Sequence, residues 1–523
     1  MSRPLFSGLL LAVLLTPGIA DAVCGDLVID AGEECDDGDI LPGDGCGSTC
    51  LFEAGYADAC SASDVDLTLS TSSVLNTYWT APADEASIAQ GATSVTLGSM
   101  RGDATPIQAG DRLMIIQMQG AEIDAGASAA VGDSYGDGPG GNDRAGFLDN
   151  ANFTAGTYEI VIAAGPDIGG VVPIYGSGVG NGTVHAYNNS RTVSATQGYQ
   201  TYQIVRIPSY DNVTLSSGAT LEAERWDGDS GGVVGIDVAG TLTFDGGEIS
   251  AWGAGFRGGQ ASSKEVNGEA QIWEGFPGEG FAGTPARYYD SFTDTLVPAA
   301  LTDPDGPDGY PTSTEGSGAP GNAGGRAYLT NDGGGGGGGN GNFGGLGGTG
   351  QTNDPALEPG RGGAPVTGPG YLLATPERLF LGGGGGGASG DDPIPNLNAG
   401  SGNNGGGIVF IRAADVQVLS SGTVRADAHR VALADGGIGG LVASAEGGGG
   451  GGAGGTIVLY TGNADLTGLD IIARGGEGNT SDENNDGAGG GGSGGVVYII
   501  ESSNATIDVD GGPGGEGNNS NGS

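Results

Sequence analysis

Glycine tracts are the feature that most constrains how this chain can fold. Of its 523 residues 115 are glycine, with uninterrupted runs at 333–339, 382–387, 447–452 and 489–492. Glycine loses more conformational freedom on folding than any other residue, which favours flexible loops. The alternative is packed extended helices of three residues per turn, in which the missing side chains let backbones approach and bond to each other. The last two tracts lead straight into apolar strands, and the sequence leaves both interpretations open.

A repeated unit accompanies the glycine. Each unit consists of a glycine pair, an apolar strand, a short turn, an alternating strand and another glycine pair, and the five units cover 204–223, 233–251, 408–426, 457–473 and 496–509. Each spans roughly 20–25 residues, the size of one coil of a repeat protein whose coils bury their apolar sides by stacking. The pattern predicts an all-β fold with a β-solenoid-like region, a parallel β-helix. A sandwich-like glycine-rich region with long glycine loops is the alternative.

Composition shifts along the chain divide it into six segments. Short strand patterns separated by Gly, Asp, Asn and Pro predict little helix. We expect a signal peptide at 1–22, a cysteine-rich module at 23–61, an all-β head at 62–225, solenoid-like repeats at 226–260 and 406–512, a glycine-rich insertion at 261–405 and a disordered tail at 513–523.

The first 22 residues have the order of a secretory signal. Arg3 is followed by an apolar run from Leu5 to Leu15, and Ala20 and Ala22 stand where a signal peptidase reads small residues. That run is about 11 residues, whereas a membrane span needs roughly 20. The sequence therefore predicts a secreted protein, extracellular or at the cell surface, with no membrane span.

The charge balance narrows the partners. The chain has 63 acidic and 17 basic side chains, a formal net charge of −46. Such a surface repels nucleic acid and anionic lipid. It favours cations, above all Ca²⁺, which takes hard oxygen ligands. Solubility at high salt explains the same charge without any ligand.

All five cysteines lie close together near the N-terminus, at Cys24, Cys35, Cys46, Cys50 and Cys60. A segment this short needs cross-links or a metal to hold it, and export makes disulfides the default. The first four cysteines allow three pairings, which the sequence does not distinguish. Cys60 is then unpaired or forms an intermolecular bridge.

Specific sequence signatures surround these cysteines. They are Cys24-Gly25-Asp26, the run from Asp30 to Gly38 around Cys35, and Gly43-Asp44-Gly45-Cys46 followed by Cys50. Over 24–53 this text resembles the Myxococcus cysteine-rich repeat family, which is similar to the calcium-binding Notch-type repeats. The resemblance implies an extracellular structural module and no reaction. Through the segments 109–119 and 240–259, the chain also resembles uncharacterised secreted bacterial proteins over roughly 75–260, and that resemblance implies architecture only.

The cysteine module is also dense in carboxylates. Ca²⁺ needs 6–8 oxygens on a sharply turning chain, which Asp-Gly steps supply. The predicted ligands are Asp26, Asp30, Asp36, Asp37, Asp39 and Asp44. The alternative is that Asp and Gly simply make turns here.

Aromatic side chains are scarce but cluster after residue 250. Aromatic rings can form a sugar-stacking surface, for which the candidates are Trp252, Trp273, Tyr288 and Tyr289. The same cluster can instead cap the solenoid core, the interpretation that we favour.

The sequence indicates no catalytic residue. Its two histidines, His185 and His429, lie outside any catalytic motif, and the abundance of glycine makes GxGxxG matches uninformative. We therefore predict a non-enzymatic surface or matrix protein that acts in adhesion or as a scaffold, with a cell-surface or matrix polysaccharide or protein as partner. The alternative is a carbohydrate-active enzyme or carbohydrate-binding protein on a β-solenoid.

Overall fold

The prediction of an all-β chain is confirmed in the residues that a computed structural model of the protein describes. These are 65–123, 147–148, 150–262, 275–286, 288–290, 295–297, 309–311, 318–327, 332–350, 359–366, 378–390, 399–429, 443–444, 446–462, 465–481, 486–500 and 504–516. They contain strands, one short 3-10 turn at Val179–Asn181 and no α-helix. The predicted signal peptide and cysteine module lie outside them.

The strands are numbered in chain order. They are β1 Leu67–Leu69, β2 Thr77–Thr80, β3 Ser87–Ile88, β4 Ser94–Thr96, β5 Met100–Gly102, β6 Arg112–Gln119, β7 Tyr158–Ala163, β8 Val171–Tyr175, β9 Tyr187–Asn188, β10 Thr201–Ile207, β11 Ser209–Tyr210, β12 Val213–Ser216, β13 Thr220–Glu222, β14 Val233–Asp245, β15 Glu248–Ser250, β16 Gly258–Gly259, β17 Tyr288–Asp290, β18 Thr295–Val297, β19 Ile408–Val418, β20 Gly422–Arg425, β21 Ala443–Ser444, β22 Thr456–Thr461, β23 Leu469–Ile472, β24 Thr480–Ser481, β25 Val496–Ile500 and β26 Thr506–Asp508.

An antiparallel head sheet comes first, in the strand order β4-β8-β7-β6-β10-β2-β5. Its central strand β6 is buried at all eight positions. Leu113 and Ile115 pack into the core on one face of this sheet, and Met114 and Ile116 pack into the core on the other. Burial on both faces explains why β6 reads as a continuous apolar run instead of an alternating one.

Two parallel sheets follow. The first has the order β1-β12-β14-β19-β22-β25, with β11 added to β14, and the second has the order β13-β15-β20-β23-β26. Each long strand of the first sheet is followed along the chain by a short strand of the second. Their alternating apolar residues meet in one core, where Ile236, Ile411 and Leu459 of the first sheet join Ile249 and Val424 of the second. The opposite face of the first sheet packs against the head.

The chain between successive parallel strands is longer than predicted. Val409, Ile457 and Val497 occupy equivalent positions in the first sheet, at intervals of 48 and 40 residues. The prediction of roughly 20–25 residues per coil is therefore too short. The reason is that each round includes a glycine-rich excursion out of the sheets and back.

The glycine tracts are ordered by backbone hydrogen bonds. Every N–H from Gly334 to Gly339 donates to a backbone carbonyl. Two donors that are three residues apart always bond to the same neighbouring segment, so the six N–H groups together reach three segments: 322–325, 345–348 and 448–451. Three other segments, 360–363, 383–386 and 490–493, donate N–H groups to the carbonyls of this tract. A period of three is that of an extended three-per-turn helix. These bonds favour the packed interpretation of the tracts over flexible loops.

Some boundaries differ from the predicted segments. β1, β12 and β13, which fall in the predicted head at 62–225, pair with the parallel sheets. The described parts of 261–405 form much of the glycine bundle and do not project from it as an insertion. In the predicted disordered tail, Gly515 donates its N–H to the Gly489 carbonyl at 2.9 Å. Backbone bonds between segments distant in the sequence account for each difference.

The bundle makes a prediction for hydrogen exchange. The amides of 334–339 and 383–388 all donate to carbonyls, so we expect them to exchange on the order of a thousandfold more slowly than unstructured amides. That factor corresponds to about 4 kcal/mol of opening free energy. The exposed turn at Val179 and Gly180, whose N–H groups donate no hydrogen bond within the described part of the chain, serves as the fast internal reference. Deuterium uptake followed by mass spectrometry checks this, and exchange of the tracts at the rate of that turn would restore the flexible-loop interpretation.

Candidate functional site

An open polar cleft of about 480 Å³ lies where the head sheet meets the segment that precedes β14. It is lined by polar and charged residues, with Met100 as the large apolar side chain: Thr80, Ala81, Ala83, Asp84, Ser99, Met100, Arg101, Asn189, Arg191, Asp227, Asp229 and Ser230. In a chain with 17 basic residues, two arginines in one cleft make it a candidate binding site.

Arg101 is held in the cleft from β5. Its guanidinium contacts the Glu224 carboxylate at 3.0 Å and pairs with Asp227, and it donates to the Arg225 carbonyl at 3.0 Å. Burial lowers the pKa of Arg101, but the two carboxylates outweigh that effect, so its pKa is raised. Arg101 therefore stays charged and ties the head to the segment before β14.

Arg191 occupies the other side of the cleft. Its side chain pairs with Asp229 and lies over the Tyr199 ring, with 4.9 Å between the guanidinium carbon and the ring centroid. Its backbone N–H donates to Asp84 Oδ1 at 2.7 Å. The lining carboxylates thus already bind arginines or loop amides. What the cleft offers a ligand is a set of fixed polar groups.

A buried ion pair supports the floor of the cleft. Arg257 donates to the two carboxylate oxygens of Glu279 at 2.7 and 2.8 Å, and to the backbone carbonyl of Asp227 at 2.7 Å. The Arg257 guanidinium carbon lies 3.5 Å from the centroid of the Tyr288 ring. Burial lowers the pKa of Arg257, but Glu279, Tyr288 and Asp227 together outweigh that effect, so its pKa is raised. The pair connects the cleft to the glycine bundle, since the Glu279 carbonyl accepts from Gly384.

The predicted aromatic site is only partly described. Trp252 is half-buried and donates from Nε1 to the Ala428 carbonyl at 3.1 Å. Its ring lies beside that of His429, with centroids 4.9 Å apart and ring planes inclined at 44°. Tyr288 instead contacts Arg257, and no ring contact between Trp252 and Tyr288 is among the described interactions. Trp273 lies outside the described residues, and Tyr289 is described only as backbone in β17. The glycan-surface interpretation remains a prediction.

Other aromatic residues of the same cluster are core residues. Phe256, Phe276 and Phe281 are buried, with at most 4% of the side chain exposed. Phe281 and Phe256 belong to the core between the head and the first parallel sheet. Neither residue belongs to the core between the two parallel sheets, so the interpretation that the cluster caps the solenoid core stays a prediction.

The predicted metal and disulfide residues lie outside the described residues. They are Cys24, Cys35, Cys46, Cys50 and Cys60, with Asp26, Asp30, Asp36, Asp37, Asp39 and Asp44. Within the described ranges, no group of three or more His, Cys, Asp or Glu side chains is placed to hold a metal ion. The calcium prediction for the N-terminal module therefore stays a prediction.

Sequence reasoning did not single out the arginine cleft. Its residues come from four separate places in the chain, around 80–84, 99–101, 189–191 and 227–230. The available signal was the scarcity of basic residues, since each arginine in so acidic a chain stands out.

Comparison of the chain with protein-family models, curated proteins and solved structures finds no match. The resemblance of 24–53 to a cysteine-rich repeat family thus depends on the quoted residues alone. In the described part of the chain, no helix is long and apolar enough to cross a membrane.

Proposed function

We propose that this chain is a secreted, non-enzymatic surface or matrix protein that acts as a structural scaffold or in adhesion. The observation that carries the proposal is the glycine bundle. Its tract 334–339 bonds to six neighbouring segments, and an added Cβ on most of its glycines would lie about 2 Å from a neighbouring carbonyl oxygen. A body built from backbone bonds between distant segments resists deformation, which suits a load-bearing or spacing role.

The architecture that fits this role is a stack of β-solenoid-like coils. Each proposed coil contributes one long strand, one short strand and a glycine excursion that joins the bundle. The in-register series Val234, Val409, Ile457 and Val497 supports this stacking. Stacked coils present an extended surface, and weak contacts repeated along such a surface give avidity.

The N-terminal segments complete the proposal. The signal sequence at 1–22 directs export, and the cysteine module, cross-linked by disulfides and able to bind calcium, precedes the β region. The partner is a cell-surface or matrix polysaccharide or protein. The acidic surface, with its net charge of −46, is compatible with cation-bridged contacts between such molecules.

The second candidate is a carbohydrate-binding protein or carbohydrate-active enzyme. The observation that favours it is the polar cleft between Arg101 and Arg191, whose volume of about 480 Å³ can hold a small sugar. The described cleft presents Arg, Asp and Asn side chains, which supply hydrogen-bond donors and acceptors that can pair with hydroxyl groups.

Glycan-array binding together with a reducing-sugar assay separates the candidates. We expect the purified secreted protein to release no reducing sugar from any polysaccharide. Any glycan that the wild-type protein binds on the array should bind the Arg191→Ala variant equally well. The matched control is Arg474→Ala, a substitution outside the cleft that also removes a paired arginine. Sustained sugar release would overturn the scaffold proposal, and binding lost in Arg191→Ala but kept in Arg474→Ala would favour the carbohydrate candidate.

A further inference from the structure

One tract of the glycine bundle lacks a neighbour. Within the tract 487–495, one set of N–H groups donates to the segment 332–338: Gly487, Gly490 and Ser493. A second set donates to the segment 473–479: Gly489, Gly492 and Gly495. Among the described interactions, the N–H groups of the remaining residues, Ala488, Gly491 and Gly494, have no acceptor. They recur with the same period of three, so they all face one direction. By contrast, all eight N–H groups from Gly382 to Ser389 donate.

The unpaired direction opens into a groove. Gly491 and Gly494 are buried residues on the floor of a groove of about 490 Å³. One wall is formed by 341–346 and the other by Val509 and the glycines of 511–514. Five segments surround the tract 487–495, namely 332–338, 341–348, 448–454, 473–479 and 512–515. The tracts 334–339 and 383–388 each have six neighbouring segments. The groove lies where the sixth neighbour of the tract 487–495 would be.

The glycines of the groove walls leave the floor accessible. A Cβ added to Gly514 would lie 4.0 Å from the Gly491 nitrogen, and one added to Gly511 would lie 3.7 Å from the Gly494 nitrogen. On the other wall, a Cβ on Gly345 would lie 2.9 Å from the Gly491 nitrogen. A side chain at any of these positions would cover the unpaired N–H groups, so the wall glycines keep the groove open.

The rim of the groove carries three apolar side chains beside the exposed Asn342. Leu346 is 49% exposed and Val509 is 40% exposed, and Phe343 is half-buried beside them. No charged side chain lines the described groove, in contrast to the acidic composition of the chain. Hydrogen-bond donors on the floor, with aromatic and aliphatic side chains above them, resemble the grooves in which proteins bind polyproline II segments.

We infer that this groove binds an extended three-per-turn strand of another polypeptide, with glycine at every third position and proline between the glycines. Carbonyls three residues apart on such a strand accept from Gly491 and Gly494, because both helices advance about 3.1 Å per residue. Glycine is needed where the strand meets the floor, as it is throughout the bundle. Proline rings pack against Phe343, Leu346 and Val509. This inference specifies a partner for the proposed scaffold function.

Residues 517–523 are a less suitable occupant. They follow the groove wall along the chain, but their glycines, Gly517 and Gly522, are five positions apart. The pattern therefore does not match donors that repeat every three residues. A second copy of the chain could also supply an extended strand. The binding experiments below distinguish residues 517–523 and a second copy from an external partner.

Peptide binding tests the inference. A fluorescein-labelled peptide of repeated Gly-Pro-Ser triplets is titrated with the full secreted protein and followed by fluorescence anisotropy. We expect saturable binding and slower deuterium exchange of the 487–495 amides. A peptide of Ala-Pro-Ser triplets, which keeps the polyproline II bias but lacks glycine, should bind roughly tenfold more weakly or not at all.

Two variants locate the site. Gly514→Leu places a side chain over the Gly491 N–H from a position where an added Cβ makes only ordinary van der Waals contacts. It should weaken peptide binding roughly tenfold or more. Ala239→Leu puts the same side chain on an exposed position elsewhere and should leave binding unchanged. Equal binding by both variants would overturn the inference, as would failure of the wild-type protein to bind the peptide.

Two further measurements identify other occupants. Self-association in analytical ultracentrifugation that Gly514→Leu abolishes would assign the groove to a second copy. Peptide binding that appears only after deletion of 517–523 would assign it to the chain's own terminus. Either result overturns the inference of an external strand. None of these results depends on the glycan assays, so the inference and the proposed function fail separately.

Discussion

Gly384→Ala should lower the free energy of unfolding by about 3 kcal/mol or more. The alanine Cβ would lie 1.9 Å from the Arg257 carbonyl oxygen and 2.5 Å from its carbon. Both atoms belong to the backbone, so no side-chain rotation relieves the overlap. The tract would have to move away from its neighbours, weakening the hydrogen bonds that Gly384 shares with the Glu279 carbonyl and with the Gly324 N–H.

Thermal and urea unfolding of matched variants measure this effect. Gly514→Ala is the control. The atom nearest to its added Cβ, apart from those of its neighbours along the chain, is the Gly489 carbonyl oxygen at 3.7 Å. The substitution should therefore change the free energy of unfolding by at most about 0.5 kcal/mol. We also expect faster amide exchange in 383–388 in Gly384→Ala alone. Equal melting temperatures for the two variants would mean that the tracts are not closely packed in solution.

Glu279→Gln should destabilise the protein by about 3–5 kcal/mol. The Glu279 side chain is fully buried and that of Arg257 is 6% exposed, so loss of the carboxylate leaves a buried guanidinium without its counter-charge. Thr284 Oγ1, which donates to Glu279 Oε1 at 2.8 Å, is also affected. The substitution should destabilise both the cleft floor and the glycine bundle, because Arg257 and Glu279 connect them.

Two comparisons separate the charge effect from packing. Asp229→Asn removes the partner of the more exposed Arg191 and should cost no more than about 1 kcal/mol. The double substitution Arg257→Met with Glu279→Leu removes both charges and should recover much of the stability lost in Glu279→Gln. If the double variant is as unstable as the single one, the pair acts through its shape and not through its charge.

Much of the strand pattern was readable from the sequence. The runs at 204–207, 233–238, 408–411, 457–460 and 496–500 were identified as strands, and each lies within or overlaps a strand of the structure. Their recognition depended on local information, since β-branched residues and period-two alternation report which side of a strand is buried. Assignment of the second, shorter strands, such as 220–223 and 469–473, used the same signal.

The cleft was not predictable in the same way. Arg101 and its partner Asp227 are separated by 126 positions, and neither lies in a motif that signals the other. Ion pairs between distant arginines and carboxylates depend on how two sheets meet. With 63 acidic residues available, the sequence offers each arginine too many equivalent partners.

The glycine tracts show the same division. The sequence by itself determined that these segments could approach each other closely, because they lack the side chains that would keep backbones apart. It also determined the strands, through residues whose apolar side chains must be buried. Only the tertiary structure decided which tract bonds to which and where one bonding position stays open, because successive glycines are chemically identical and no side chain marks the intended partner.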